Sequence, residues 1–349
     1  MYVLDTILLH ETEKLNEKVI PIQAQAIKCN SLVMVLFDEC NLDCGFCLRK
    51  NPDSSYYFET PNKMSRETIM DQLETVRSIR EFITDSNDLS ICMVGGELFQ
   101  DKFDYSIYDD LLNGLAETFC DENTKINISI YTNLLCKDID RVAQLIQRHQ
   151  HHLDFTILFS FDLVGRYTKP YMIERVMHNY KCLTRDYDIF VNIALTAHCK
   201  NIDAIINQNN PLCEQMNFFF EDKDYCSVIF GDYIDNGSEE YKTTEEDLVK
   251  LYTWLIDNQP DCQAILRLLS NLKSEQDHSC NELWVSRNGV RRCCSNVGDR
   301  KAKFISTVNC FGCEYYQHCQ SICFHAYSEH KYCWKQIIYR YLQSKGMLK

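Results

Sequence analysis

Glycine and proline are scarce in this 349-residue chain, at 11 and 6 residues, so neither flexible linkers nor low-complexity segments organise it. Long apolar runs are missing too: nothing approaches the roughly 18 to 20 residues that a bilayer-spanning helix needs. The opening segment MYVLDTILLHETEKLNEK lacks a basic start, and acidic residues interrupt its short apolar stretch. It is not expected to act as an export signal, and the chain is expected to be cytoplasmic. Positive charge is in deficit, with 36 Lys and Arg against 50 Asp and Glu and a net charge of −14. A non-specific nucleic-acid binder needs a basic surface to displace condensed counterions, so that class is disfavoured.

Cysteine, in contrast, is abundant, at 20 residues. In a reducing compartment, clustered cysteines point to metal and not to disulfides. Three fall between positions 40 and 47 and eight between 280 and 333, while nine are scattered. Most of the scattered ones read as small buried residues, because a free thiol packs like a small hydrophobe.

From about residue 31 to 225, strand-like and helix-like stretches alternate. The strands predicted are 31–37, 89–94, 126–132, 155–162, 189–197 and MNFFFE at 216–221. Ser65 is placed to cap a helix carrying Ile69, Leu73, Val76, Ile79 and Ile83 at helical spacing. Alternation of this kind predicts an α/β fold with a parallel sheet and right-handed crossovers. Six units suit a partial (β/α)6 barrel better than a closed eight-unit one. The expected organisation is an N-terminal extension (1–30), the partial barrel (31–235) and a linker helix capped by Thr244 (236–261). A small, irregular cysteine-rich iron–sulfur domain (262–335) and a C-terminal helix (336–349) follow.

Cys40, Cys44 and Cys47 stand in CNLDCGFC directly after the first predicted strand. Three thiolates on a short loop suit three irons of a [4Fe–4S] cube and leave the fourth iron open to a chelating ligand. A zinc site is the alternative for the bare triplet. The spacing resembles the CxxxCxΦC motif of the radical S-adenosylmethionine (SAM) superfamily, with Phe46 in the aromatic place. Gly95-Gly96-Glu97, at the end of the second predicted strand, resembles that family's GGE motif. Ser160 and Asp162 in LFSFD resemble its S-x-D, and Asn192 resembles a polar residue reaching SAM from the fifth strand. The resemblance implies a SAM-binding cluster on the three cysteines and Phe46 near the adenine. It implies Gly95, Gly96 and Glu97 at the SAM amino group, with Ser160 and Asn192 as further SAM contacts.

Near the C-terminus, Cys280, Gly289 and Cys294 precede Cys310, Cys313, Cys319 and Cys323, spaced C-x2-C-x5-C-x3-C, and then Cys333. This series resembles the SPASM domain of radical SAM enzymes that modify peptides and proteins. The first gap is slightly short, and Cys293 is an extra cysteine. The resemblance implies two auxiliary [4Fe–4S] clusters, three clusters in all. Cys280, Cys294 and Cys323 would hold one, and Cys310, Cys313, Cys319 and Cys333 the other. The fourth ligand of the former is left open between Cys293, Cys262 and none. Zinc is the alternative here also, but it is redox-inert.

By the same analogy the chain is expected to be an oxidoreductase that cross-links or dehydrogenates a ribosomally made precursor peptide in a net two-electron oxidation. An external donor such as flavodoxin or ferredoxin would supply the electron. A small-molecule substrate, such as a sugar or nucleotide to be dehydrogenated or epimerised, is the alternative, and a non-catalytic iron–sulfur electron carrier is a third reading. With about thirty residues before the first strand, a leader-recognition domain of the winged-helix kind is not expected there. His149, His151 and His152 read as a solvated helix end. His318, His325 and His330 read as surface or supporting groups, and Tyr315, Tyr316 and Tyr327 as packing on the clusters.

Overall fold

A computed structural model of the chain describes residues 31–47, 63–80, 83, 89–121, 124–231, 238–272, 282–286, 289–292, 314–315 and 333–348. Six strands form a parallel sheet: β1 (Ser31–Val35), β2 (Ser90–Val94), β3 (Ile126–Thr132), β4 (Leu153–Ser160), β5 (Val191–Thr196) and β6 (Cys226–Gly231). Each pairs with the next in chain order. Helices α1 (Arg66–Ile79), α2 (Ser106–Phe119), α3 (Ile139–His149) and α4 (Pro170–Lys181) form the first four crossovers, and α5 (Cys199–Asn207) and α6 (Cys213–Glu221) share the fifth. This is the partial barrel that the alternation predicts.

The local signals act as expected. The Ser65 hydroxyl accepts the Thr68 N–H at 3.2 Å, opening α1, whose Ile69, Leu73, Val76 and Ile79 are buried. Along β2, β3, β5 and β6 buried side chains alternate with partly accessible or exposed ones, so one sheet face meets the helices. Fully burying a side chain such as Ile128, Ile157 or Ile193 on that face contributes about 1.5–3 kcal/mol. The opposite face carries Ser129 on β3, Thr156 on β4, Asn192 on β5 and Ser227 on β6, all partly accessible.

Two expectations are corrected. MNFFFE belongs to helix α6, not to the sixth strand. Cys213, Met216, Phe219 and Phe220 are its buried residues, a helical spacing that a short apolar run conceals. The sixth strand comes five residues later, where CSVIFG begins with buried Cys226 and Val228 alternating with half-buried neighbours. His149 does not sit in solvent: it is buried, and its Nε2–H donates to Asp109 Oδ1 on α2 at 2.9 Å. His151 and His152 are exposed as anticipated.

Beyond β6, Thr244 and Asp247 form a reciprocal capping box at the start of α7 (Glu245–Asn258). Regular structure continues further than the sequence suggests. Helix α8 (Gln263–Asn271) follows, and β7 (Glu282–Ser286) and β8 (Gly289–Arg292) form an antiparallel hairpin. The hairpin joins the sheet, with β7 parallel to β1 on the side away from β2. Helix α9 (Trp334–Ser344) packs on α7, where the Trp334 and Tyr252 rings stack with centroids 4.9 Å apart. Among the described residues no helix is long and apolar enough to cross a membrane.

Candidate active site

The loop carrying Cys40, Cys44 and Cys47 leaves the C-terminal end of β1 and lies over the turn that closes β2. Leu36 N–H donates to Val94 O at 2.9 Å, Gly96 N–H to Phe37 O at 2.8 Å, and Glu97 N–H to Glu39 O at 2.9 Å. The two backbones approach so closely that a Cβ on Gly95 would overlap the Phe37 carbonyl oxygen, and one on Gly96 the Glu39 carbonyl. Glycine is required at both positions by contact alone.

Glu97 clamps this turn to the end of β3. Its buried carboxylate accepts from Phe99 N–H at 2.9 Å, the Thr132 hydroxyl at 2.7 Å and Asn133 N–H at 2.6 Å. Burial pushes its pKa up, and these three hydrogen bonds oppose that shift. A carboxylate offers about four acceptor positions, so the group keeps room for one more donor, on Oε2. Asn133 extends the clamp to the cysteine loop, its Nδ2 donating to Asn41 Oδ1 at 2.8 Å. The next residue, Leu134, is buried in the left-handed region at φ 54°, a conformation that costs a non-glycine residue about 1–3 kcal/mol.

Side chains build the other flank. The Phe46 ring is buried, with His198, Arg166 and Tyr241 at 4.6, 5.2 and 5.6 Å from its centroid. Asp162, fully buried, accepts from Arg166 Nε at 2.6 Å, Asn201 Nδ2 at 2.7 Å and Thr196 N–H at 2.8 Å. His198 caps α5, its Nδ1 accepting the Asn201 N–H at 3.1 Å. Burial drives the His198 pKa down to about 4 against the pull of Asp162, so the ring is neutral at pH 7. Burial also works against the Arg166 charge, but Asp162 and Cys44 outweigh it and hold the guanidinium protonated.

Cys44 is buried, while Cys40 and Cys47 are partly accessible. Leu42 N–H donates to the Cys40 sulfur at 3.4 Å, and a turn joins Cys47 N–H to Cys44 O at 3.2 Å. Burial pushes the Cys44 thiol up to about 11, and the Arg166 guanidinium opposes that shift. Among the described residues no three His, Cys, Asp or Glu side chains converge as a single metal ion demands. A cube-shaped cluster asks for a different arrangement, because each thiolate takes its own iron. A soft, all-thiol donor set on one short loop fits that group.

Of the residues predicted at the site, Phe46, Gly95, Gly96 and Glu97 gather around the cysteine loop. Ser160 ends β4, and its carbonyl accepts from Tyr167 OH at 2.8 Å. Asn192 lies one row deeper on the sheet, where its Oδ1 accepts from the Ser227 hydroxyl on β6. Asp162 is committed to its network with Arg166, Thr196 and Asn201. Thr132, Asn133, Arg166, Tyr167, His198 and Tyr241 were not anticipated. Only Thr132-Asn133 left a signal, as a polar pair closing β3 beside the GGE turn.

At the other end of the chain, Cys333 precedes α9 and is partly accessible. Cys280, Cys293, Cys294, Cys310, Cys313, Cys319 and Cys323 lie outside the described residues, as do Tyr316, Tyr327, His318, His325 and His330. Cys262 is buried in the main hydrophobic core at the start of α8. Tyr315 packs on Tyr339 and donates to Gln343 Oε1 at 2.7 Å. Of the scattered cysteines, Cys136, Cys213, Cys226 and Cys262 are buried, and Cys92, Cys120, Cys182 and Cys199 are partly accessible.

No family model matches the chain, and no curated protein sequence does. Solved structures do match. Native anSMEcpe with bound AdoMet superposes with a TM-score of 0.60 at 15% identity, over 91% of this chain and 98% of that one. Streptococcus suis SuiB bound to precursor peptide SuiA gives 0.55 at 16% identity, over 94% of this chain and 83% of that one. At such identity the likeness is one of fold.

Proposed function

We propose that the protein, whose fold is that of radical SAM/SPASM enzymes, is an oxidoreductase that modifies a ribosomally made peptide by cross-linking or dehydrogenation. The observation that carries this reading is the seating of the cysteine loop on the Gly95-Gly96-Glu97 turn at the C-terminal end of a parallel sheet, where barrel active sites lie. A [4Fe–4S] cluster bound there together with SAM would supply radical chemistry able to take hydrogen from an unactivated carbon.

The chain's own residues prepare that chemistry. Cys40, Cys44 and Cys47 would hold the cluster. The free acceptor position on Glu97 suits one N–H of the SAM amino group, and Ser160 stands at the strand end facing the same region. Phe46, boxed by Arg166, His198 and Tyr241, gives a rigid aromatic wall suited to an adenine. Ser129, Thr156, Asn192 and Ser227 offer hydroxyl and amide groups on the accessible sheet face, matched to peptide amides.

Support for a peptide comes from the SuiB structure, which contains precursor peptide SuiA. The C-terminal cysteines are proposed to bind two auxiliary clusters. Cys280, Cys294 and Cys323 would hold the first, and Cys310, Cys313, Cys319 and Cys333 the second. These clusters would take up the electron left on the oxidised substrate, and a flavodoxin or ferredoxin of the cytoplasm would supply the first electron.

The test is anaerobic reconstitution with iron and sulfide, then dithionite and SAM. 5′-Deoxyadenosine should be released by the parent chain and not by a Cys40→Ala, Cys44→Ala, Cys47→Ala variant. Release by that variant overturns the assignment. Mass spectrometry of candidate precursor peptides co-expressed with the enzyme should find a loss of two hydrogens. Turnover of a sugar or nucleotide instead would move the substrate to the small-molecule class.

A further inference from the structure

We propose that Arg166 raises the reduction potential of the cluster expected on Cys40, Cys44 and Cys47, acting as a fixed positive charge held in place by Asp162. The inference rests on the radical SAM reading above and adds a tuning residue to it. Its basis is a placement that no motif encodes. Arg166 follows Gly165, whose backbone is left-handed at φ 85° and whose absent side chain leaves space against Phe46 and Tyr241. The chain can therefore turn tightly after β4 and lay the guanidinium over the Phe46 ring, 5.2 Å from its centroid. Phe46 stands between Cys44 and Cys47 in the loop, and the Arg166 side chain is only 15% exposed, so the cation lies against the cysteine loop and not on an outer surface.

The charge is immobilised before any electron arrives. Arg166 Nε donates to Asp162 at 2.6 Å, and Asp162 is itself fixed by Thr196 N–H and Asn201 Nδ2. A preorganised charge needs no reorientation when the charge it stabilises appears. Asp162 opposes the effect, but it is held on the β5 side by Thr196 N–H and Asn201 Nδ2, whereas the guanidinium is the member of the pair that lies over Phe46. One-electron reduction adds one negative charge to the cluster. A nearby cation favours the reduced state over the oxidised one, and burial strengthens the interaction. Arginine suits this role because it stays charged when desolvated.

The test is a redox titration of the reconstituted full-length chain, with dithionite as electron donor and paramagnetic resonance as readout. The first cluster is identified as the signal that SAM perturbs. In Arg166→Gln, the ratio of reduced to oxidised cluster at the wild-type midpoint should fall at least tenfold, a shift of about 59 mV to lower potential for a one-electron couple. Arg166→Lys keeps the charge and should recover most of the shift. A wild-type midpoint in Arg166→Gln with full iron content overturns the inference, as does an equal shift in Arg166→Lys. Should Arg166→Gln fail to hold iron, Asp162→Asn gives the opposite sign. It leaves the cation less compensated and should raise the midpoint, and an unchanged or lowered value overturns the inference. A wild-type chain with no SAM-sensitive signal overturns the radical SAM reading itself.

Discussion

The two flanks of the cysteine loop are built by different means. On the Gly95-Gly96 side the loop is held by main chain against main chain, with Glu97 and Asn133 as clamps. On the Phe46 side it is held by side chains from three separate loops, arranged around one buried ion pair. Main-chain contact sets a spacing that admits no extra atom, whereas a side-chain network sets charge and tolerates exchange of its members. The first flank fixes where the loop lies, and the second determines the field it feels.

The sharpest way to break that contrast is one substitution on each side. Gly96→Ala places a methyl group on the Glu39 carbonyl, and neither backbone can withdraw without losing its hydrogen bonds. Overpacking of this sort should cost about 3 kcal/mol, read as the loss in urea-unfolding free energy of the cluster-free chain, with iron uptake falling in parallel. The residue on the other flank, Arg166, is expected to accept substitution with the fold intact. If Gly96→Ala unfolds no more readily than Arg166→Gln, the two flanks are not different in kind.

A smaller effect sharpens the electrostatic side. A free histidine titrates near pH 6.5, and burial lowers that of His198 to about 4. Between these values the unfolded chain binds a proton that the folded chain refuses. The stabilisation is complete above about pH 6.5 and is lost as pH falls through about 4, which amounts to about 2 kcal/mol between pH 7 and pH 5. His198→Asn keeps a capping acceptor for the Asn201 N–H and removes the titration. Its urea-unfolding free energy should therefore fall less than that of the wild type over this interval, by about 2 kcal/mol. Equal slopes would mean that the ring is not held neutral by its surroundings.

The same division explains what could be read in advance. The first five strands, the Ser65 and Thr244 caps and the paired glycines are local: each follows from a period, a cap or a close approach encoded within a few residues. The sixth strand was mistaken because MNFFFE has no alternation to separate a buried strand from a buried helix. His149 passed for a solvated terminus because its partner, Asp109, is forty positions away on another helix. Arg166, His198 and Tyr241 left no pattern at all, since they converge on Phe46 from three loops distant in sequence. The Cys40, Cys44 and Cys47 loop was legible because its chemistry lies in spacing, whereas the field around it lies in topology.

Tyr167 is where the two flanks touch. It follows Arg166 on the side-chain flank, yet its hydroxyl lies 2.9 Å from the Asn133 carbonyl and 2.8 Å from that of Ser160. One proton is thus shared between a group on the clamp and a group at the end of β4. Tyr167→Phe removes that proton and keeps the ring, so the cost should be about 1 kcal/mol in urea unfolding. Combining it with Asn133→Ala, which cuts the tie to Asn41, decides how far the flanks cooperate. If the hydroxyl transmits the position of one flank to the other, the double variant will depart from additivity by more than about 0.5 kcal/mol. Additive losses would mean that each flank holds its side of the loop alone, and that the field set by Arg166 can change without moving the sulfurs.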